Sequence, residues 1–358
     1  MTPKNPAIIF LLLGLMAALA PPERQVEIHF GKSLEIGRSE FLFGSIASIC
    51  EDSEGSFYVL DDKEFKVFRF SPEGRLIQKF GGKGQGPGDF QSPDLIVFTT
   101  QAEIAVLENF YVSFFKTAGI FIRRLNLSDR LGLSYIGPDR FLCWDWLPAG
   151  RQQMMVDGQN TIKATFHTQP MDTFSTTLID ETGQAVGFNY TSNVYVPELL
   201  SGYGGGVSLS GISSLYNLTL LDENGRAIGS VQRDVMPGKI SGRERAYLER
   251  EFREFIATRG WPGRIVREFI KKIPDSKTII SAVRISPQHV FVFRVAEDIT
   301  REDSAVPVDV FSSRGEFFGS TKLESIPLFV SGKAMYFVET DDSGNEYLRR
   351  SDYSVSLK

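Results

Sequence analysis

Cysteine and histidine are scarce in this sequence, and their scarcity excludes two kinds of protein. Two cysteines, Cys50 and Cys143, cannot supply the disulfide framework of a small secreted domain. We expect both to be buried free thiols, with a single bridge between them as the alternative. The three histidines, His29, His167 and His289, show neither H-x-H nor H-E-x-x-H spacing. We therefore assign no metal site, no cofactor site and no catalytic residue.

An excess of positive charge is also lacking. The chain has 39 Lys and Arg residues against 44 Asp and Glu residues, a formal net charge of −5 at pH 7. This balance argues against a strongly basic nucleic-acid binder, because such proteins bind phosphates with clustered cations. Hydrophobic residues make up 42% of the chain, which is enough to bury a large core and argues against extensive disorder.

Long apolar runs are missing as well, and the N-terminal one is short. It extends from Ala7 to Leu19, and these 13 uncharged residues are too few to span a bilayer comfortably. Ala18-Leu19-Ala20 has the small-x-small pattern of a signal-peptidase site, so residues 1–20 are predicted to be a signal peptide. Pro21 directly after the site is expected to hinder cleavage, and an uncleaved anchor is the alternative. Either way we expect an exported protein, periplasmic or extracellular, with its folded domain in residues 21–358.

Glycine and phenylalanine are abundant, with 33 and 29 copies, and a repeat explains many of them. An apolar residue, three mostly polar residues, a glycine and further apolar residues recur five times, with the glycine at the corner of a predicted β-hairpin. The five glycines are Gly74, Gly119, Gly183, Gly225 and Gly315. Spacings of 45 and 42 residues suit one four-stranded propeller blade, and spacings of 64 and 90 indicate insertions. We place the first insertion at about residues 149–171.

A second strand pair precedes most of these hairpins, which completes a four-stranded unit. The last unit ends one strand short, and the segment from Val26 to Ile36 is a predicted strand without a partner. Supplying this strand to the last unit would close the ring and remove its free sheet edges. The fold predicted is an all-β, six-bladed β-propeller closed by the N-terminal strand.

The most specific motif lies in the first unit. It reads Asp52-x-x-Gly55-x-x-Tyr58-Val59-x-Asp61 and continues, after Phe80-Gly81, into the run Gly82 to Pro93 (GKGQGPGDFQSP). This unit resembles the NHL repeat, and the chain resembles exported bacterial six-bladed propellers of the NHL-repeat or TolB-like type. The resemblance implies a structural role for Asp61, which would steady the turn after the second strand. The glycine-rich run lacks Gly-Lys-Ser/Thr and a following helix, so an inter-blade loop is favoured over a phosphate cradle.

Residues 241–272 are the one region predicted to be helical. Ser241 and Glu244 form a capping box, and a second helix is expected after Gly260, so the region reads as a helical hairpin. Nine basic and five acidic residues between positions 243 and 272 give it a net charge of +4, so the rest of the chain carries −9. The hairpin either packs across one propeller face or recognises an acidic partner, as a docking element or as a lid over the channel mouth. The residues predicted to bind that partner are Arg259, Arg264, Arg267, Lys271 and Lys272.

Three functions are compatible with these features. We favour an exported, non-enzymatic module that binds a protein or a small ligand at the propeller face, because rigid blades present loops around a central depression. No nucleic acid is expected as a partner. Contact with a membrane is expected only through an uncleaved N-terminal segment. The alternatives are a hydrolase or lyase acting on a small molecule at the channel, and a carbohydrate-binding module. The last would use Trp144 and Trp146, which lie on the same face of a strand.

Overall fold

The computed structural model is a six-bladed β-propeller. It describes residues 24–38, 41–148, 150–170, 175–179, 185–189, 197–258, 270–271, 273–301 and 304–358. Six antiparallel sheets of four strands each form the ring, and each sheet is one blade. The predicted fold class is therefore confirmed. The predicted signal peptide, residues 1–20, lies outside the described residues.

The strands follow the chain order within the blades, from the inner edge of the ring outward. Blade 1 contains β2 (Ile46–Glu51), β3 (Phe57–Asp61), β4 (Lys66–Phe70) and β5 (Leu76–Phe80). Blade 2 contains β6 (Pro93–Phe98), β7 (Glu103–Glu108), β8 (Tyr111–Lys116) and β9 (Phe121–Asn126). Blade 3 contains β10 (Leu131–Gly137), β11 (Arg140–Leu147), β12 (Gly150–Asp157) and β13 (Ile162–Pro170).

The second half of the ring has the same organisation. Blade 4 contains β16 (Leu199–Gly204), β17 (Val207–Ile212), β18 (Asn217–Leu221) and β19 (Ala227–Gln232). Blade 5 contains β20 (Ile280–Ile285), β21 (His289–Arg294), β22 (Val306–Ser312) and β23 (Phe317–Leu323). Blade 6 contains β24 (Phe329–Val330), β25 (Ala334–Thr340), β26 (Glu346–Leu357) and, from the N-terminus, β1 (Val26–Ile36). A separate two-stranded sheet, β14 (Ser175–Ile179) with β15 (Ala185–Asn189), lies between blades 3 and 4 in the sequence.

The N-terminal strand closes the ring, as predicted. β1 runs antiparallel to β26, from the pair Val26 and Leu357 to the pair Ile36 and Leu348, with one irregularity between Phe30 and Ser33. Blade 6 thus combines the two ends of the chain. Its outer strand comes from sequence far from the other three, so the closure holds the first and last blades together.

Apolar side chains fill the spaces between neighbouring blades. Between blades 1 and 2, Tyr58 and Leu60 of β3 belong to one buried cluster with Ile104 and Val106 of β7. Similar clusters join blades 4 and 5 and blades 5 and 6. Cys50 and Cys143 are buried and unbridged, as expected. The middle strands of each blade are therefore covered on both sides, while the innermost strands border the central channel.

Blade 3 is built differently from the prediction. The stretch predicted to be an insertion, at about 149–171, contains the outer strands β12 and β13, and the extra element is the two-stranded sheet of β14 and β15. The pattern did not detect this because the corner of blade 3 has Asn160, at φ 61°, where blades 1, 2, 4 and 5 have glycine. Asp157 accepts hydrogen bonds from the backbone N–H groups of Gln159 and Thr161, at 3.0 and 2.9 Å. Asparagine tolerates this left-handed conformation better than most residues, so the turn forms without glycine.

The turn between β6 and β7 offers a test of the same principle. Ala102 adopts φ 58° there, whereas Gly55, with φ 84°, occupies the corresponding position in the turn between β2 and β3. Because alanine is strained in the left-handed region, Ala102→Gly should raise the free energy of unfolding by a few tenths to about 1 kcal/mol. Gly55→Ala should lower it by about 1 kcal/mol. A methyl group on Gly55 would meet only Pro72 at 3.5 Å, so this second change isolates the backbone cost. Urea unfolding curves would measure the free energy of unfolding of both variants. Changes of the same sign in the two variants would contradict the argument.

Between blades 4 and 5, the described part of the chain contains a helix. It is α1 (Gly242–Thr258), and its N-terminus is the predicted capping box. The Ser241 hydroxyl accepts from the Glu244 N–H at 3.2 Å, and the Ser241 N–H donates to the Glu244 carboxylate at 2.9 Å. Leu248 packs with Ile273 in a small buried cluster. In the part of the chain that is described, no helix is long and apolar enough to span a membrane.

The rest of the predicted helical hairpin falls largely outside the described residues. This applies to the second helix predicted after Gly260, because residues 259–269 are not described. The half that is described is tied to the propeller. The Lys277 ammonium donates to the Glu244 carboxylate at 2.8 Å, and both side chains are buried. The first half of the hairpin therefore packs on the propeller rather than extending away from it.

Candidate functional site

The innermost strands of all six blades enclose a central cavity of about 350 Å³. Most of its wall is apolar. The apolar lining residues include Leu95 and Val97 of β6, Leu133 of β10, Val283 of β20, and Leu328 and Val330 at β24. Toward the face that carries α1, the wall continues into a wider cavity of about 590 Å³, which shares Ser201 and Arg284 with it. Apolar walls with a few polar groups are characteristic of small-ligand sites.

Arg284 of β20 places a guanidinium group in the wall of the central cavity. Its Nε donates to the Pro327 carbonyl and its Nη1 donates to the Val283 carbonyl, both at 2.8 Å. Among the described residues no carboxylate pairs with this guanidinium. Burial lowers the pKa of Arg284 to about 10. The side chain stays a cation at neutral pH, and the two carbonyls hold it in place without neutralising it.

Asp94 of β6 contributes the carboxylate of the same cavity. Its side chain is exposed to the channel and has no hydrogen bond or ion pair in the described part of the chain. Partial burial against the cavity wall raises the pKa of Asp94, and the negative charge of Asp62 raises it further. Blades 2 and 5 are three positions apart in a ring of six, so Asp94 and Arg284 lie on opposite walls.

A second pocket, of about 270 Å³, lies at the other end of the channel, next to the turns that follow the innermost strands. Glu51 lines this turn-side pocket, and the Tyr336 hydroxyl donates to its carboxylate. Burial raises the pKa of Glu51, and it also raises the pKa of Tyr336. Arg350 donates to the Tyr336 hydroxyl at 3.2 Å. Glu51 thus has partners within the protein, unlike Asp94.

The residues predicted to bind an acidic partner are only partly covered. Lys271 is exposed, whereas Arg259, Arg264, Arg267 and Lys272 lie outside the described residues. The docking of an acidic partner on this segment stays a prediction. The net charge of +4 of the predicted hairpin comes from residues 259–272, because α1 itself carries four arginines and four glutamates.

Two other sequence features have structural roles. Asp61 accepts hydrogen bonds from the backbone N–H groups of Gly44, Ser45 and Glu64, at 2.7, 3.2 and 2.9 Å, which confirms its role in a turn. The glycine-rich run is an inter-blade loop, as predicted: the Phe90 N–H donates to the Gly82 carbonyl at 2.7 Å, and the Phe90 ring is fully buried. Both features thus use their polar groups for hydrogen bonds within the protein rather than for a binding site.

Trp144 and Trp146 do not form the stacking surface that the carbohydrate-binding alternative requires, and the described histidines lie apart from one another. The rings of Trp144 and Trp146 meet edge to face, at 81° with centroids 5.7 Å apart, so together they offer no flat stacking surface. Of the histidines, His29 donates to or accepts from the Ser356 hydroxyl at 2.9 Å on blade 6, whereas His289 contacts Phe318 on blade 5. Among the described residues, no group of three or more His, Cys, Asp or Glu side chains could hold a metal ion.

Sequence reasoning missed Arg284 and Asp94. Arg284 stands in a predicted strand of mostly apolar residues, IISAVRI, where a charge is unusual, and Asp94 directly precedes the predicted apolar strand LIVF. That signal was present, but it required knowing which strand of each blade is innermost. Only then does a charged residue in a strand become a charged residue in the channel.

Comparisons with known proteins agree with this architecture. A family model, DUF5128, described as a 6-bladed beta-propeller, matches residues 34–194. The fold is that of the six-bladed β-propellers. The structure of a DUF4221 family member from Bacteroides vulgatus is similar, with a TM-score of 0.57 and 11% identity, over 94% of this chain and 100% of that one. A Bacteroides fragilis protein that is predicted to be exported gives a TM-score of 0.53 and 11% identity, over 93% of this chain and 95% of the other.

At these identities the two likenesses concern the fold alone. Virginiamycin B lyase from Staphylococcus aureus is more distant, with a TM-score of 0.43 and 9% identity over 91% of this chain and 99% of the lyase. No curated protein matches the sequence significantly.

Proposed function

We propose that this protein is an exported, non-enzymatic binding module that takes a small organic ligand in its central channel. The observation that carries the proposal is the central cavity, which is preformed, mostly apolar, and bordered by two charged side chains that no described residue neutralises. Its volume of about 350 Å³ suits a small organic molecule. Six blades hold the wall in place, so little conformational entropy would be lost on binding.

A plugged channel tests this proposal. Ser201 lines the central cavity, and Ser201→Trp would fill much of it. Ser354→Trp, on the exposed outer part of β26, is the matched control. Thermal unfolding of the purified full chain would be followed with a panel of amino acids, short peptides, organic acids, sugars and nucleotides. We expect at least one class to stabilise the wild type and the control but not the plugged variant.

Two outcomes would overturn the proposal. Stabilisation that survives in Ser201→Trp would place the ligand outside the channel, and a panel without any stabilising compound would favour a protein partner instead. Mass spectrometry of the bound compound after incubation tests the non-enzymatic part. A ligand recovered in chemically altered form would favour the hydrolase or lyase alternative.

Two observations support the proposed export. The uncharged segment from Ala7 to Leu19 precedes the small-x-small pattern at Ala18 to Ala20, and a protein of similar fold is predicted to be exported. Fractionation of the native cells, with sequencing of the N-terminus, tests this part. A cytoplasmic protein with an intact N-terminus would contradict it, and an exported protein that retains residues 1–20 would indicate an anchor.

A further inference from the structure

The two charged side chains of the central cavity have no counter-charge among the described residues. Charged side chains that leave bulk water are usually paired, because desolvation without a counter-charge is costly. Two other carboxylates close to the channel, those of Glu51 and Asp52, have hydrogen-bond partners within the protein. Glu51 is bonded to Tyr336, and Asp52 accepts from the N–H groups of Glu54 and Ser56 at 3.0 and 2.9 Å. Asp94, which is exposed to the channel, and Arg284, which bonds only to backbone carbonyls, are the two charged side chains of the cavity wall that no described counter-charge neutralises.

The positions of the two charged groups indicate what kind of ligand would fit between them. Arg284 belongs to blade 5 and Asp94 to blade 2, on opposite walls of one cavity, and they form no ion pair with each other. The wall between them is largely apolar, with Leu133, Leu328 and Val330 among its members. A molecule with an anionic end, a short apolar middle and a cationic end would complement all three parts of this wall.

We infer that the ligand of the central cavity is a small zwitterion, whose anionic group is held by Arg284 and whose cationic group is held by Asp94. This inference rests on the proposed small-ligand function and adds the charge pattern of the ligand. The guanidinium N–H groups that do not donate to backbone carbonyls would donate to a carboxylate. A ligand ammonium would donate to Asp94 and replace the missing counter-charge. Amino acids and short peptides are the ligand class with this pattern.

A series of ω-amino acids tests the inference, because its members differ only in the distance between their charges. Glycine, β-alanine, 4-aminobutanoate and 6-aminohexanoate would be titrated into the purified full chain by calorimetry, with hexanoate and hexylammonium as singly charged analogues. We expect one chain length to bind best, about tenfold or more tighter than either analogue, because each analogue leaves one charge of the cavity unpaired.

Substitutions separate the two ends of the ligand. Arg284→Met should weaken binding of the best ω-amino acid about 10- to 100-fold, and Arg284→Lys, which keeps the charge, should weaken it less. Asp94→Asn should weaken the same compound about tenfold, yet should strengthen hexanoate about twofold or more, since it removes a repulsive charge. Arg140→Met and Glu324→Gln, at residues outside the cavity, are the matched controls. They should change neither the binding of the best ω-amino acid nor the binding of hexanoate. Melting temperatures would show that each variant is folded.

The possible results separate an error in the inferred charge pattern from a failure of the proposed small-ligand function. If Asp94→Asn leaves zwitterion binding unchanged, the cavity is a simple anion site and the inference is wrong. If Arg284→Met leaves binding unchanged, the assigned anion position is wrong. If no ω-amino acid binds but a neutral compound binds in a manner that Ser201→Trp abolishes, the small-ligand function stands and the charge pattern fails.

Discussion

Replacing Asp309 with alanine should lower the free energy of unfolding by about 3–5 kcal/mol, because it removes a buried carboxylate and leaves two partly buried cations without their counter-charge. Asp309 lies on β22 of blade 5 and is fully buried. Its carboxylate is 2.8 Å from a guanidinium nitrogen of Arg233, on the chain that leaves blade 4, and 3.3 Å from Arg294 on β21. One carboxylate thus faces two cations at the contact between two blades.

Hydrogen bonds complete this buried group and add to its expected effect. The Tyr216 hydroxyl donates to Asp309 at 2.5 Å, and the Ser320 hydroxyl donates at 2.6 Å. Burial, followed by the negative charge of Asp309, raises the pKa of Tyr216, so the hydroxyl stays protonated and remains a donor. With alanine at position 309, two donors lose an acceptor as well, and a buried donor without an acceptor is costly.

Urea unfolding of the variant and the wild type would measure the loss. Asp275→Ala is the matched control, because Asp275 pairs with Arg245 at a similar distance, 3.1 Å, but its side chain is fully exposed. Exposed pairs contribute about 0–1 kcal/mol, so the control should unfold almost like the wild type. Asp309→Asn keeps an acceptor but removes the charge, and its loss should fall between the two. Equal losses for Asp309→Ala and the control would show that the buried carboxylate stabilises nothing.

The ring itself could be predicted because its signals are local or repeat at regular intervals. The corner glycines Gly74, Gly119, Gly225 and Gly315 all adopt positive φ, which is the reason that glycine recurs at this spacing. The closing strand followed from a simple count, since the last unit was one strand short and Val26 to Ile36 had no partner. Blade 3 was misassigned because Asn160 replaces the glycine there, and a pattern that requires glycine cannot detect an asparagine with the same conformation.

The candidate site could not be predicted, because it depends on relations between blades. Arg284 and Asp94 are 190 positions apart in the sequence, and nothing local connects them. They share a cavity only because both stand on innermost strands and because a ring of six brings blades 2 and 5 face to face. Asp61 is the opposite case. Its partners Gly44, Ser45 and Glu64 are all within 17 positions, so the family resemblance was sufficient to indicate its structural role.

The contact between α1 and the propeller leads to the second large expected effect. Glu244 and Lys277 form a buried ion pair, with side-chain exposures of 2% and 5%. The Lys277 ammonium also donates to the carbonyls of Ala296, at 3.0 Å, and Glu297, at 2.5 Å, while Glu244 takes part in the capping box with Ser241. This one pair therefore joins the start of the helix to the segment between β21 and β22.

Glu244→Gln should lower the free energy of unfolding by about 3 kcal/mol, because it leaves the buried Lys277 ammonium without a counter-charge. Glu254→Gln, at an exposed position of the same helix, is the matched control and should change it by about 0.5 kcal/mol or less. Lys277→Met should also be costly, whereas the double variant Glu244→Gln, Lys277→Met should lose less than the sum of the single losses. Additive losses in this cycle would contradict a direct interaction between the two side chains.

The pH dependence of this variant has a defined sign. Burial alone would raise the pKa of Glu244, but the hydrogen bonds from Lys277 and Ser241 outweigh it, so the pKa lies below the ordinary value. A lowered pKa in the folded state means that the stabilisation is present above the unfolded-state pKa, about 4.3, and is lost as the pH falls below it. The advantage of the wild type over Glu244→Gln should therefore be constant near neutral pH and shrink in acid. An advantage that grows as the pH falls would show that Glu244 is not stabilised as an anion.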